Sequence, residues 1–352
     1  MFENKIVFKI VVTLALVLMC FGMIALISGV FELESTSENS AINRPAGAPG
    51  QMTADADSDG YVSNNAHEDY SPIEDEEYCD YETGECVCFD CAAYVTIVFD
   101  EFIVWLSPSD ISRGNLVLVN NDHAFDLEHV GELVYIADFA VPSFRVSNNE
   151  IRLAEHIVEP LVRMLDAFYE AIGSNNVSVI SGFRDLARQR EILDDNIARM
   201  GPVEARRWAV DPGHSEHHTG LAIDFGFYQY GNLMTFLGVG RTAWLGRNAH
   251  QFGFIERYPE GSSAITGVAH EPWHFRYVGL PHSYLMRQLG MVLEEYIDFL
   301  KGHCSDEPFF ATFEDFEYII YFTRELEAFV PVGSYYSISG TNTDGFIVTI
   351  RP

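Results

Sequence analysis

Pro212-Gly213-His214-Ser215-Glu216-His217-His218-Thr219-Gly220-Leu221-Ala222-Ile223-Asp224 is the stretch on which the reading of this 352-residue chain turns. Its second half is a strand pattern. Side chains alternate across a strand, so Leu221, Ile223 and Phe225 share one face while Ala222 and Asp224 share the other. A carboxylate in so apolar a strand is costly unless it is paired or bound to a metal. Gly220 gives the permissive backbone needed to turn from His217 into that strand. Further along, His270-Glu271-Pro272-Trp273-His274-Phe275-Arg276-Tyr277 sets another histidine at the start of a second strand pattern, with a carboxylate three residues before it.

Zinc favours imidazole nitrogen and carboxylate oxygen, and a catalytic zinc takes three protein ligands while leaving a fourth position open. His217, Asp224 and His274 supply such a set. Glu271 then stands beside the metal, where a general base takes a proton from an activated water. On residue type alone, His214 and His218 stay open as alternative ligands.

Together with Ser181-Gly182-Phe183-Arg184 and Gln189, these segments resemble the VanY-type D-alanyl-D-alanine carboxypeptidases. Those are zinc peptidases related to the D-Ala-D-Ala dipeptidases and to the hedgehog signalling domain. The resemblance covers residues 113–290. It implies Zn2+ on His217, Asp224 and His274, Glu271 as catalytic acid/base, and Arg184 as the cation that steadies the scissile carbonyl. It further implies Ser215 and Gln189 as substrate contacts. Phe183 departs from the pattern, since the family often has Tyr there; the lost hydroxyl bears on a substrate contact, not on the metal. The implied reaction is removal of the terminal D-Ala from peptidoglycan stem peptides. The neighbouring readings are an LD-carboxypeptidase and a D-Ala-D-Ala dipeptidase. A reading from another class is a non-catalytic wall-binding or sensing module, but that is expected where the base is missing, and Glu271 is present.

Outward from the site, strands are expected at Phe102–Leu106, Asn115–Asn120, Val177–Ser181, Leu221–Phe225 and Trp273–Val278. A helix is expected over residues 149–173, kinked or split by Pro160 and ended by Gly173, and a second over 185–200. Two β runs, Tyr335–Ser339 and Gly345–Ile350, read as a hairpin. The fold class is α+β, with helices packed on a small antiparallel sheet that carries the zinc site.

The chain ends set the expected location. Ile10 to Phe31 is uncharged and nearly all apolar, and at ~1.5 Å per helical residue it spans a hydrocarbon core of ~30 Å. Lys5 and Lys9 precede it and Glu32, Glu34 and Glu38 follow, which orients the remainder outside the cell. The expected organisation is a cytoplasmic tail (1–9), a transmembrane anchor in the lipid bilayer (10–31) and a disordered acidic spacer (32–91). The zinc peptidase domain (92–290) and a C-terminal extension without recognisable chemistry (291–352) follow. In the spacer, Asp55-Ala56-Asp57-Ser58-Asp59-Gly60 opens like a calcium loop, but Ala66 stands where the bidentate Glu belongs, so a solvated acidic run is the expectation. Cys79, Cys86, Cys88 and Cys91 are expected to form disulfides, with zinc as the rival, and Cys304 is expected as a buried free thiol. Lys and Arg total 21 against 52 Asp and Glu, a net charge of −31, which argues against nucleic acid as a partner.

Overall fold

The computed structural model describes residues 101–352. The expected anchor, spacer, calcium-like loop and cysteine cluster lie outside the described residues. Among the described residues no helix is long and apolar enough to cross a membrane.

Strand β1 (Glu101–Trp105) comes first. The central sheet follows, built from β2 (Arg145–Val146), β3 (Val177–Ser181), β4 (Ala222–Gln229), β5 (Asn232–Thr235), β6 (Phe254–Glu256) and β7 (His274–Tyr277). Its order is β2-β3-β4-β7-β6, with β5 paired to β4 beside this path. All pairs are antiparallel except β2 with β3, so the sheet is mixed, not purely antiparallel as expected.

Helix α1 (Val158–Ile172) covers one face of this sheet. Leu161, Met164, Leu165 and Phe168 form its buried stripe at helical spacing. They meet Val177 and Val179 of β3, Ile223 and Phe225 of β4, and Phe275 of β7 in one apolar cluster. Each such side chain contributes roughly 1.5–3 kcal/mol when fully buried. Gly173 ends the helix in the left-handed conformation, φ +68°, as expected. The helix begins later than expected. Arg152–Ala154 pairs as a short strand with Leu133–Tyr135, and a 3-10 turn follows before Val158. Pro160 therefore falls in the first turn, where its missing N–H has no helical acceptor to lose, and it neither kinks nor splits the helix. Helix α2 (Leu186–Met200) is capped by Asp185, whose carboxylate accepts from the Arg188 N–H at 2.7 Å.

Beyond the central sheet, helices α3 (His282–Leu289) and α4 (Leu293–Leu300) lead into β8 (Phe309–Phe313), β9 (Phe316–Thr323), β10 (Glu327–Pro331), β11 (Tyr335–Gly340) and β12 (Phe346–Arg351). Four of these make a second antiparallel sheet in the order β8-β9-β12-β11, while β10 pairs with β1. The hairpin expected at residues 335–350 is β11 with β12. A second apolar cluster joins Leu285, Met286, Leu293, Ile297 and Leu300 of the two helices to Ile320, Phe322 and Ile347 of the sheet. Cys304 is exposed, because it falls in the surface turn after α4 and not in this core.

Asn115–Asn120 is not a strand. Its apolar residues do alternate: Val117 and Val119 enter the first cluster, Leu116 and Leu118 the second. No neighbouring strand pairs with it, however. Leu116 N–H donates to Ser339 Oγ, and the Arg276 guanidinium donates to the carbonyls of Asn115 and Val117. The strand-like pattern marks a buried seam between two cores, with its backbone groups satisfied largely by side chains.

Candidate active site

Three adjacent strands bring the polar groups together. In the register of the central sheet, Ser181 on β3 lies opposite Asp224 on β4, and Asp224 lies opposite His274 on β7. The alternation read from the sequence thus places Asp224 and His274 as cross-strand neighbours on the face away from α1. His217 comes from the 3-10 turn Glu216–Thr219 that feeds β4. Gly220 closes that turn at φ +75°, and a Cβ there would come within 2.8 Å of the Leu133 side chain.

His217, Asp224 and His274 are all buried, and one ligand atom of each lies within 4.8 Å of the others. The two histidines present different nitrogens. His217 Nδ1 donates to the Gly182 carbonyl at 2.6 Å, which leaves Nε2 facing Asp224 at 3.2 Å with no hydrogen-bond partner. His274 instead turns Nδ1 toward Asp224 at 3.1 Å, and its Nε2 lies 3.3 Å from Glu216. An unpartnered buried imidazole nitrogen beside a second imidazole and a carboxylate fits a divalent ion, and two nitrogens with one oxygen suit zinc. His214 and His218 are occupied elsewhere. His214 Nδ1 donates to the Asn120 carbonyl, while His218 donates to the Arg184 carbonyl and accepts from Gly213 N–H.

The other expected residues line the same cleft, of about 240 Å³. Glu271 Oε2 stands 3.9 Å from His274 Nδ1, beside the ligand set without hydrogen bonding to it. Burial pushes its carboxyl up to about 8, so it holds a proton far more readily than an exposed Glu. Arg184 donates from Nε to Ser181 Oγ at 2.9 Å and forms an ion pair with Asp224 through Nη2. Burial opposes the charge on Asp224, yet His217 and Arg184 outweigh it and hold the carboxyl well below its usual range. Burial and the nearby Arg184 charge lower His217 to about 4, which keeps its imidazole neutral as a metal ligand must be. For His274, burial is outweighed by its hydrogen bonds to Asp224 and Glu216, which raise it to about 9. Gln189 is buried in α2, donates to the Val210 carbonyl and leaves Oε1 unpartnered, while Ser215 is buried at the start of the 216–219 turn.

Sequence reasoning missed several groups. Glu216, inside the first motif, is fully enclosed and accepts from both Arg257 and Arg276. The signal was available in part: Arg276 follows His274 by two residues on a strand and so shares its face. Tyr258 lays its ring 4.9 Å from that of His274. Trp208 stacks on Trp273 with centroids 6.4 Å apart and planes 16° apart, and both line the cleft. Trp273 also packs on the first apolar cluster, so it serves as wall and filler at once.

Residues 150–280 match the VanY family, described as D-alanyl-D-alanine carboxypeptidase. A D-alanyl-D-alanine carboxypeptidase of Enterococcus faecium is 31% identical over 253 residues, covering 70% of this chain and 78% of that relative. This chain belongs to the VanY family. A bifunctional D-Ala-D-Ala dipeptidase and carboxypeptidase, VanXYC of Enterococcus gallinarum, is 30% identical to this VanY-family chain over 53% of its length and 94% of the relative. Among solved structures, the vancomycin-resistance D,D-dipeptidase VanXYg in complex with a D-Ala-D-Ala phosphinate analogue is similar at a TM-score of 0.64. It is 32% identical, covering 72% of this VanY-family chain and all of the other.

Proposed function

We propose that this protein is a membrane-anchored zinc D-Ala-D-Ala carboxypeptidase that removes the terminal D-Ala from peptidoglycan stem peptides. The observation that carries this reading is the buried His217, Asp224 and His274 set, facing one cleft that Glu271 and Arg184 also line. Bound there, zinc supplies Lewis acidity to a water and to the scissile carbonyl. Glu271 takes the proton from the attacking water and hands it to the leaving amine, a task suited to a carboxyl whose burial raises its proton affinity. The Arg184 guanidinium stabilises the developing oxyanion, while Ser181 fixes its Nε edge. Gln189 Oε1 and Ser215 contact the substrate's terminal residues. Trp208 and Trp273 wall the cleft on its apolar side. Support for the anchor is the uncharged run Ile10–Phe31, and Lys5 and Lys9 before it favour a catalytic unit outside the cell.

A second reading, hydrolysis of free D-Ala-D-Ala, is favoured by the similarity to VanXYC and VanXYg. Incubating the zinc-loaded protein with a stem pentapeptide, a tetrapeptide and free D-Ala-D-Ala, followed by mass spectrometry, separates these activities. Loss of one alanine from the pentapeptide supports the carboxypeptidase; turnover of the dipeptide alone moves the assignment to the second reading. No turnover of any of the three would sink both.

A further inference from the structure

We propose that the C-terminal extension completes the metal site: Glu294 on α4 fixes Arg257, Arg257 and Arg276 fix Glu216, and Glu216 fixes His274 as a metal ligand. The inference rests on the metal-site reading above and assigns a positioning role to residues 291–352.

The contacts run without a gap. Glu294 accepts from both terminal nitrogens of Arg257, at 2.8 and 2.6 Å. Asn120 Nδ2 donates to the same carboxylate at 3.2 Å. Arg257 Nε donates to Glu216 Oε1 at 2.7 Å, and Arg276 Nη1 donates to that same oxygen at 2.8 Å. With Oε1 taken by two guanidinium groups, Oε2 is left for His274 Nε2 at 3.3 Å. A carboxylate accepts, so Nε2 donates, and a metal that displaces the proton from this ring would find the lone pair on Nδ1. That nitrogen faces Asp224. A ligating imidazole whose other N–H is held by a carboxylate has a fixed tautomer, a fixed ring orientation and greater basicity.

Stability alone is a poor reason for this arrangement. The side chains of Arg257, Arg276 and Glu216 are wholly buried and that of Glu294 is 12% exposed. Buried ion pairs often stabilise no better than well-packed apolar residues, because desolvation offsets their attraction. The quartet abuts a metal ligand at one end and the extension at the other. Leu293, Ile297 and Leu300 seat α4 against Ile320, Phe322 and Ile347, so the second sheet sets where Glu294 stands. Glu294 lies outside the residues 150–280 that match the family, so this relay joins the extension directly to the metal site.

Zinc affinity, measured on metal-stripped protein by competition with a chromophoric chelator, tests the relay without reference to activity. Cobalt absorption spectra report the ligand geometry in parallel. Glu216→Gln is expected to weaken zinc binding on the order of 10–100-fold, and Glu294→Gln, acting one step further out, about tenfold or less. In the Glu216→Gln background, Glu294→Gln is expected to add nothing, because the two act through one path. Asp298→Asn removes a carboxylate from the exposed face of the same helix without touching the quartet or the apolar seat of α4, and should leave zinc affinity at the wild-type value. Zinc affinity and cobalt spectrum of Glu294→Gln unchanged from wild type would overturn the inference. So would equal, additive losses from both Gln variants. If wild type binds no zinc, the metal-site reading falls and takes the relay with it. If wild type binds zinc but cleaves no peptide, only the proposed activity falls.

Discussion

The central sheet and the four-stranded C-terminal sheet use the same apolar alternation and put it to different ends. On β4 and β7 of the central sheet, Ile223, Phe225 and Phe275 pack under α1. The opposite face carries Asp224, His274 and Arg276: strand register sets Asp224 opposite His274, and Arg276 follows His274 by two residues on the same face. In the second sheet, Ile347 and Phe322 pack under α3 and α4, and Thr349 is the polar residue that β12 buries among apolar neighbours. Its partner is His282 Nε2, whose Nδ1 is in turn bonded to Tyr296 Oη, both at 2.9 Å. That cluster closes on itself. The central sheet's cluster opens onto a cleft and leaves His217 Nε2 and Gln189 Oε1 without hydrogen-bond partners. Buried polar groups that satisfy one another hold a fold, whereas buried polar groups left unsatisfied and aimed at a common space are free to hold a ligand.

The sharpest way to break this contrast is at Glu271. Glu271→Gln keeps the shape and removes the base, so kcat on a stem pentapeptide should fall by about 10²–10⁴-fold while bound zinc, measured by elemental analysis, stays at the wild-type level. Unchanged turnover would remove Glu271 from the mechanism. Next in size is Arg184→Ala, for which a loss of about 10²–10³-fold in kcat is expected from an absent oxyanion partner. Steady-state kinetics check it: a rise in KM with kcat intact would make Arg184 a binding group. Zinc at about 100 times its Kd should add about 2.7 kcal/mol to the unfolding free energy of the wild type, read from chemical denaturation. Glu271→Gln should gain as much, since it is not a ligand.

What could be read in advance follows the same division. The strand of Asp224, the strand of His274 and the turn at Gly220 were legible because each depends on local spacing. The hairpin of β11 and β12 was legible for the same reason. Asn115–Asn120 was misread because alternation reports burial on two sides and cannot say what satisfies the backbone. Pro160 was misread because its effect depends on where the helix starts, and Arg152–Ala154 had been claimed by a strand. The Glu216, Arg257, Arg276 and Glu294 quartet joins a turn, the bend after β6, strand β7 and a helix distant in sequence. No window of residues contains that pairing; only the fold assembles it.

The smallest effect tests the other half of the contrast, the closed cluster at His282. Burial lowers the His282 imidazole to about 3, below its ordinary value near 6.5, so the folded protein favours the neutral ring. A neutral ring can donate from one nitrogen and accept at the other, which is what a bridge between Tyr296 and Thr349 requires. The sign follows from linkage. The unfolded chain takes up a proton here as pH falls through about 6.5 while the folded chain does not, so stability is fully present above that value and is lost progressively toward pH 3. At pH 5 the loss is on the order of 2 kcal/mol relative to neutral pH. His282→Gln can offer one donor and one acceptor but no titration. Denaturant unfolding at pH 7 and pH 5 should therefore show a smaller drop for His282→Gln than for wild type. Turnover by the two proteins at pH 7 should agree, because His282 contacts neither the cleft nor the quartet. Equal drops would mean that this cluster does not titrate as a closed unit, and a change in kcat would join to the active site a region that the hydrogen bonds keep apart.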